Sequence, residues 1–403
     1  MKIAIPAPTY IPARRANTVQ VMKMAQAFVH LGHQVHVMVP GAPPVEDARR
    51  WETLANLYGL EQAFPLEWLP AHPRFRRYDF AWRAVQRARA WGADVVYTRL
   101  PQAAALSSWR GIPTVLEIHD LPQGTLGPLF FKSYLRGRGA RRLVVISEAL
   151  LADVVRQQGA PASPPFTIVA PDGVDLRRYA ALPAPEQARA ALIVNPGSPL
   201  FQMGERLSPG CFTAGYTGHL YPGRGGEMLL EIAARLPEVT FLMVGGEPQD
   251  VARLREAALH LGLRNVILTG FVPNAELPLY QAACDVLMMP YQRRVAASSG
   301  GDIARYLSPM KLFEYLACGR AILSSDLPVL REVLSAENAV LLPPEDVEAW
   351  AAAIRELKSN PERTSALAAR ARQEARRYTW EARASRILEG LHALERSREF
   401  KAL

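Results

Sequence analysis

Cysteine is nearly missing: Cys211, Cys284 and Cys318 are the only three in 403 residues, far apart and without CxxC or Cys/His ligand spacing. That excludes a disulfide framework and the usual zinc sites, and it makes a reducing cytoplasm the expected compartment. Lysine is scarce as well, with six among the 47 cationic residues. No Asp-x-Asp occurs, so the carboxylate pair that commonly holds a divalent ion against a diphosphate is absent and no metal is expected. Walker A and strand-borne G-x-G-x-x-G sequences are also absent, which removes the two commonest nucleotide fingerprints. No apolar run approaches the roughly 18 to 20 residues of a membrane helix. The prolines and closing arginine pair of "MKIAIPAPTYIPARR" break up any signal-peptide core.

What is present is a basic chain of ordinary globular make-up. Its net charge is +9, which suits phosphates, nucleic acid or an anionic membrane face. Nucleic acid is set aside, because no basic run with interleaved aromatics occurs outside "RFRRYDFAWR". With 49% hydrophobic and 21% charged residues, the length divides into two domains of about 150 to 200 residues.

Short β-branched runs alternate with helical patterns: "KIAIP", Thr18 to Leu31, "QVHVMVP", "DVVYT", "TVLEIH", "RLVVIS", Glu148 to Gln158 and "FTIVAP". Apolar strands separated by helices predict a parallel sheet covered on both faces, a doubly wound α/β domain over 1–180. Nine of the 33 prolines fall between Pro161 and Pro209, which marks 181–210 as a linker region. A second series over 211–379 includes "FTAGYTG", "VTFLMVGG", "NVILTGF", "DVLMMPY" and "RAILSS". Two doubly wound, Rossmann-like domains in tandem predict sheets facing across a cleft, with a ligand at the carboxyl ends of each.

Four stretches could carry chemistry. In "GYTGHLYPGRGGEMLLEI" a strand ends at Thr217, a Gly-rich loop runs from Gly218 through Gly223 to Gly226, and a helix follows. Such a loop lets backbone approach an anion, with His219 and Arg224 as added donors; a plain strand-to-helix turn is the other reading. In "YLSPMKLFEYLACG", Ser308 suits an N-cap, Pro309 the first helical position and Gly319 the exit. The amides of Met310 and Lys311 would then face outward, while Lys311 and Glu314 share a helix face, as an anion site or a surface ion pair. In "TVLEIHDLP", His119 stands at the carboxyl end of a strand, where ligands or structural hydrogen bonds are found. Lastly, "PTYIPARRANT" places Arg14 and Arg15 beside Asn17 as the cap of the first helix, an anion-friendly start.

In order and spacing these pieces, with "VVISEALLADVV", "IVAPDGVDLRRY" and "ILTGFVPNAELPLYQAACDVLMMPY", resemble the retaining GT-B glycosyltransferases, most closely glycosyltransferase family 4. The resemblance implies a nucleotide sugar, UDP- or GDP-linked, bound by the C-terminal domain. It implies a sugar, glycan or lipid-linked acceptor on the N-terminal domain, and metal-independent transfer with retained configuration. Arg224 matches the family's usual lysine and His219 its usual arginine, the pair that grips the diphosphate. Glu314 matches the second acid of an E-x7-E motif, which binds the ribose; His119 matches the histidine near the donor sugar; Val272 matches a backbone contact to the nucleobase. "YTWEARASRILEGL" resembles the last helix, which would pack 380–403 back on the first domain. Two positions depart from the pattern: Tyr306 stands where the first acid belongs, and Ala16 and Asn17 replace a Gly-Gly pair.

Two other functions fit the same pieces, a nucleotide-sugar epimerase of this fold and a non-catalytic nucleotide-sugar-binding protein. "HPRFRRYDFAWRAVQRARAW" sets arginines beside Phe80, Trp82 and Trp91. It reads either as a solvated helix face with its aromatics in the core or as a peripheral contact with an anionic membrane.

Overall fold

A strand without polar alternation has to be covered on both faces, and here it is: "VVYT", "TVLEI", "TFLMV" and "AILSS" are buried at every position. The computed structural model describes residues 1–75, 77–162, 166–194, 207–296 and 301–391. The chain forms two compact units, one of Met1–Asp172 with the chain from Trp380, the other of Gly173–Thr379.

The first unit contains β1 (Lys2–Pro6), α1 (Ala16–His30), β2 (Gln34–Pro40), α2 (Glu46–Arg49), α3 (Trp51–Tyr58), β3 (Leu66–Leu69), α4 (Tyr78–Trp91), β4 (Val95–Thr98), α5 (Pro101–Trp109), β5 (Thr114–Ile118), α6 (Gly127–Arg136), β6 (Ala140–Val145), α7 (Glu148–Gln158) and β7 (Thr167–Val169). Its seven strands are all parallel, in the order β3-β2-β1-β4-β5-β6-β7. Ile3 registers with Val35 on one side and Val95 on the other, so the winding reverses at β1.

The second unit contains α8 (Pro185–Val194), β8 (Thr213–Thr217), α9 (Gly226–Arg235), β9 (Thr240–Val244), α10 (Pro248–His260), β10 (Val266–Gly270), α11 (Leu277–Ala282), β11 (Val286–Met289), α12 (Met310–Cys318), β12 (Ala321–Ser325), β13 (Val340–Leu342), α13 (Val347–Ser359) and α14 (Pro361–Ala375). Its parallel sheet runs β10-β9-β8-β11-β12-β13 and reverses between β8 and β11, the place where an open α/β sheet binds its ligand. Both units are thus doubly wound and Rossmann-like, as the apolar runs predicted.

Three expectations shift. The boundary lies at Asp172–Gly173 rather than 180, and much of the expected linker is α8, a helix of the second unit. Its prolines misled the reading: Pro185 starts the helix, Ala188 and Leu192 are buried, and the buried Arg189 donates to Asp285 Oδ2 and the Ala283 carbonyl, both at 2.9 Å. Residues 195–206 of that linker lie outside the described residues. Helix α1 begins at Ala16 with Arg15 at the cap position, so Asn17 is helical and no side chain caps this end. The last helix, α15 (Trp380–Leu388), does belong to the first unit, where Glu381 meets His30 of α1 at 2.8 Å. Residues 392–403 of the expected final helix are outside the described residues.

Candidate active site

In the second unit, β8 ends at Thr217 and the chain turns through Gly218 with φ of +130°, a backbone conformation open to glycine. A Cβ there would stand 2.9 Å from Lys311 Nζ, so the missing side chain is the space the lysine occupies. Gly223 (φ +81°) approaches the Arg294 carbonyl so closely that a Cβ would lie 1.9 Å from its oxygen. Glycines therefore fold this loop tightly down to the start of α9 at Gly226.

Lys311 is 8% exposed, which removes the surface ion pair as a reading. Its Nζ has no hydrogen-bond partner among the described residues; it sits over the Tyr216 ring at 3.6 Å and 5.6 Å from the Tyr291 ring centre. The Arg224 guanidinium lies 6.0 Å from the same Tyr291 ring and 5.6 Å from that of Tyr221. Burial, and then the charge of Arg224, hold the Lys311 ammonium well below its ordinary pKa. A buried cation with unused donors and a second cation beside it is a place where an anion is missing energetically.

One turn further along α12, Glu314 Oε2 accepts from Gln281 Nε2 at 3.1 Å. Gln281 is itself fixed, donating to Thr217 Oγ1 at 3.2 Å and accepting from Tyr179 at 2.9 Å. Gln281 was missed in the sequence; its one signal was a polar residue within the apolar stretch "ELPLYQAACDVL". The start of α12 differs from expectation by one residue. Pro309 holds the cap position at φ −80°, ψ 128°, its carbonyl accepts from Leu312, and Ser308 precedes the helix rather than capping it. Met310 is half-buried at the first turn. His219 stacks on Tyr221 at 4.7 Å with its Nδ1 3.9 Å from Glu247, and Val272 is in the core just past β10. Tyr306, where an acid was expected, is buried in the short turn before α12.

In the first unit, His119 follows β5 directly, and its Nε2 lies 2.5 Å from Glu117 Oε1. Glu117 is completely buried in mid-strand and accepts from Gln20 Nε2 at 2.8 Å, from the Tyr97 hydroxyl, and from Arg383 Nη2 at 2.9 Å. Burial alone would raise the Glu117 pKa, but Arg383 and His119 overcome it and hold the carboxylate ionised. Burial and the nearby Arg99 push His119 down to about 4, so its imidazole is neutral near pH 7. Asp172 is pushed up to about 7 by burial. Arg14 and Arg15 are exposed before α1, and Asn17 is half-buried in its first turn. Among the described residues, no group of three His, Cys, Asp or Glu side chains could hold a metal ion.

Two family models match this chain, Glycosyltransferase Family 4 over residues 18–178 and Glycosyl transferases group 1 over 211–360. It is 25% identical to the phosphatidyl-myo-inositol mannosyltransferase of Mycolicibacterium smegmatis over 91% of this chain and 87% of that protein. It is 28% identical to a D-inositol 3-phosphate glycosyltransferase of Xylanimonas cellulosilytica over 92% and 90%. Among solved structures, Anabaena HepE in complex with UDP superposes with a TM-score of 0.72 at 20% identity, covering 98% of this chain and all of that one. With both models matched in chain order and this fold in common, the protein is a glycosyltransferase and belongs to family 4, the group 1 enzymes of the GT-B fold.

Proposed function

We propose that the enzyme transfers a sugar from a nucleoside diphosphate sugar, UDP- or GDP-linked, to a hydroxyl acceptor, with retained anomeric configuration and no metal requirement. The observation that carries this is the unpartnered Lys311 Nζ, buried at the sheet's switch point beside Arg224 and one helical turn from Glu314. Lys311, Arg224 and the free amides at the start of α12 would stabilise the departing diphosphate, usually the largest electrostatic task of such a reaction. Glu314, steadied by Gln281, would accept from the ribose hydroxyls, with His219 as a further donor to the phosphates and the Val272 backbone against the base. In the first unit, His119 is assigned to the donor sugar and Arg14, Arg15 and Asn17 to the acceptor. Relatives named for inositol-based acceptors and a neighbour solved with UDP support the two substrate classes.

The test is binding of UDP and GDP, then turnover of UDP-glucose and GDP-mannose with inositol phosphate, phosphatidylinositol and simple sugars, with and without EDTA. NMR of the product reads the anomeric configuration. An epimeric sugar formed from donor alone would favour the epimerase, and binding without diphosphate release would favour a non-catalytic protein.

We also propose peripheral membrane contact through the first unit. Phe80 is in the core and Trp91 half-buried, but Phe75, Tyr78 and Trp82 at the start of α4 face solvent. The Tyr78 ring lies 5.5 Å from that of Phe130, which joins them to exposed Leu126 and Leu129 around the start of α6. Exposed Arg74, Arg83 and Lys132 accompany this apolar face. Among the described residues no helix is long and apolar enough to cross a membrane.

A further inference from the structure

We propose that Glu117 is a positioning residue that fixes His119 as the Nε2-protonated tautomer, so that the imidazole presents Nδ1 as a hydrogen-bond acceptor for a sugar hydroxyl. This rests on the reading above that His119 faces the donor sugar.

Four groups converge on the Glu117 carboxylate: His119 and Gln20 on Oε1, Tyr97 and Arg383 on Oε2. An ionised carboxylate can only accept, so the nitrogen 2.5 Å away must carry the proton. Gln20 confirms the polarity of this side: its carbonyl accepts from Arg99 Nη1 at 3.2 Å, which turns its amide nitrogen toward Glu117. A neutral imidazole protonated on Nε2 keeps its lone pair on Nδ1, which makes no hydrogen bond among the described residues. The cations near the ring, Arg99 and Arg383, oppose a second proton, while Glu117 favours one; Tyr97 and Asp172 complete the ionisable groups of the cluster. The same division of labour, a buried carboxylate holding an imidazole in one tautomer, is how the aspartate of a serine-protease triad acts.

The arrangement extends across the unit. Arg383, from α15, donates to Glu117 and also to the carbonyls of Pro171 and Ala170 at 2.9 and 3.1 Å. The orientation of His119 is therefore tied to the last helix, through a guanidinium that is itself 5% exposed.

Glu117→Gln makes a sharp prediction. Arg383 can only donate, so the new carboxamide turns its oxygen toward Arg383 and its NH2 toward His119, and the imidazole moves its proton to Nδ1. Histidine ring NMR on the full chain, selectively 15N-labelled, reads the tautomer directly, with the His119 signals identified by their loss in His119→Asn. The wild type is expected to show protonated Nε2 and unprotonated Nδ1, and E117Q the reverse. In turnover of UDP-glucose or GDP-mannose, E117Q should lower kcat about tenfold or more with little change in donor KM. A wild-type His119 protonated on Nδ1 overturns the proposal whatever the variant does, even if E117Q fails to fold. So does an E117Q that keeps both the tautomer and kcat. If His119→Asn turns over normally while the NMR result holds, the role of His119 in transfer fails and the tautomer assignment stands.

Discussion

Lys311 Nζ lies 3.6 Å from the centre of the Tyr216 ring, and among the described residues no oxygen or nitrogen hydrogen-bonds to it. The π-face offsets part of the cost of burying this ammonium, but its donors remain unused, and Arg224 adds repulsion. A diphosphate would reverse both terms.

Donor binding should accordingly take up a proton at Lys311. The free protein holds this group well below its ordinary pKa and a bound diphosphate raises it again. In the window between the two values the complex holds more protons than the free protein, so affinity for UDP should fall as pH rises through that window. Calorimetry in two buffers of different ionisation enthalpy measures the uptake. Lys311→Met should flatten the pH dependence and weaken UDP binding by about 2 kcal/mol, roughly 30-fold. Equal heats in both buffers would show that Lys311 is already fully charged in the free protein.

Glu314 and Gln281 should separate by size of effect. Glu314→Ala removes the acceptor proposed for the ribose and should cost UDP binding about 1.5 to 3 kcal/mol, with thermal stability nearly unchanged because Glu314 is half-buried at the end of its network. Gln281→Leu keeps the carboxylate but frees it, so nucleotide affinity should fall less. It should also destabilise the fold, since Tyr179 and Thr217 lose their shared partner. Equal affinities in Glu314→Ala and wild type would remove the ribose assignment.

Arg383→Met leaves Glu117 buried without its cation, at a cost of about 3 to 5 kcal/mol near neutral pH. The pH dependence has a definite sign. In the wild type the Glu117 carboxyl is held below its ordinary 4.5, so its contribution is complete above that value and is lost as pH falls through the folded one. In the variant the carboxyl rises, the folded state binds the extra proton, and stability falls with increasing pH. Denaturant unfolding at pH 5 and 8 should therefore show a wild-type advantage that widens with pH. Adding Glu117→Gln to the variant should recover much of it. A gap of the same size at both pH values would contradict the coupling.

Membrane contact should need both the apolar and the basic parts of its surface. Flotation with vesicles containing anionic lipid should carry the protein upward at low salt and less so at high salt. Trp82→Ser with Tyr78→Ser should reduce the lipid-bound fraction severalfold without changing UDP binding, because both side chains are exposed. Neutral vesicles serve as the reference; equal recovery on both lipid types, or on neither, would count against an anionic surface.

The fold was legible because its signal is local. Runs such as "TFLMV" and "AILSS" are apolar throughout, and a parallel sheet buried on both faces requires that. Gly218, Lys311 and Glu314 could be read because each belongs to a strand end or helix start with its own residue grammar. The aromatic walls were not: Tyr216 and Tyr291 look like ordinary core residues until Lys311 is seen against them. Prolines misplaced the boundary, since Pro185 opens a helix rather than a linker. Glu117 was the sharpest omission. A lone acid amid "TVLEI" is an energetic anomaly visible in the sequence, but its counter-charge comes from Arg383, on the far side of an entire second unit. No spacing rule reaches that far.

The Arg383–Glu117 link has a bearing on how the protein is made. Ribosomes deliver Glu117, His119 and the whole first sheet long before Arg383 emerges. Until then the nascent domain holds an acid at its centre without the guanidinium that bonds to it, and that acid gains from staying protonated or wet. The first unit can thus settle into its final form only after the second has been synthesised, so premature termination there leaves a domain that is miswired at its buried polar cluster as well as short of a helix.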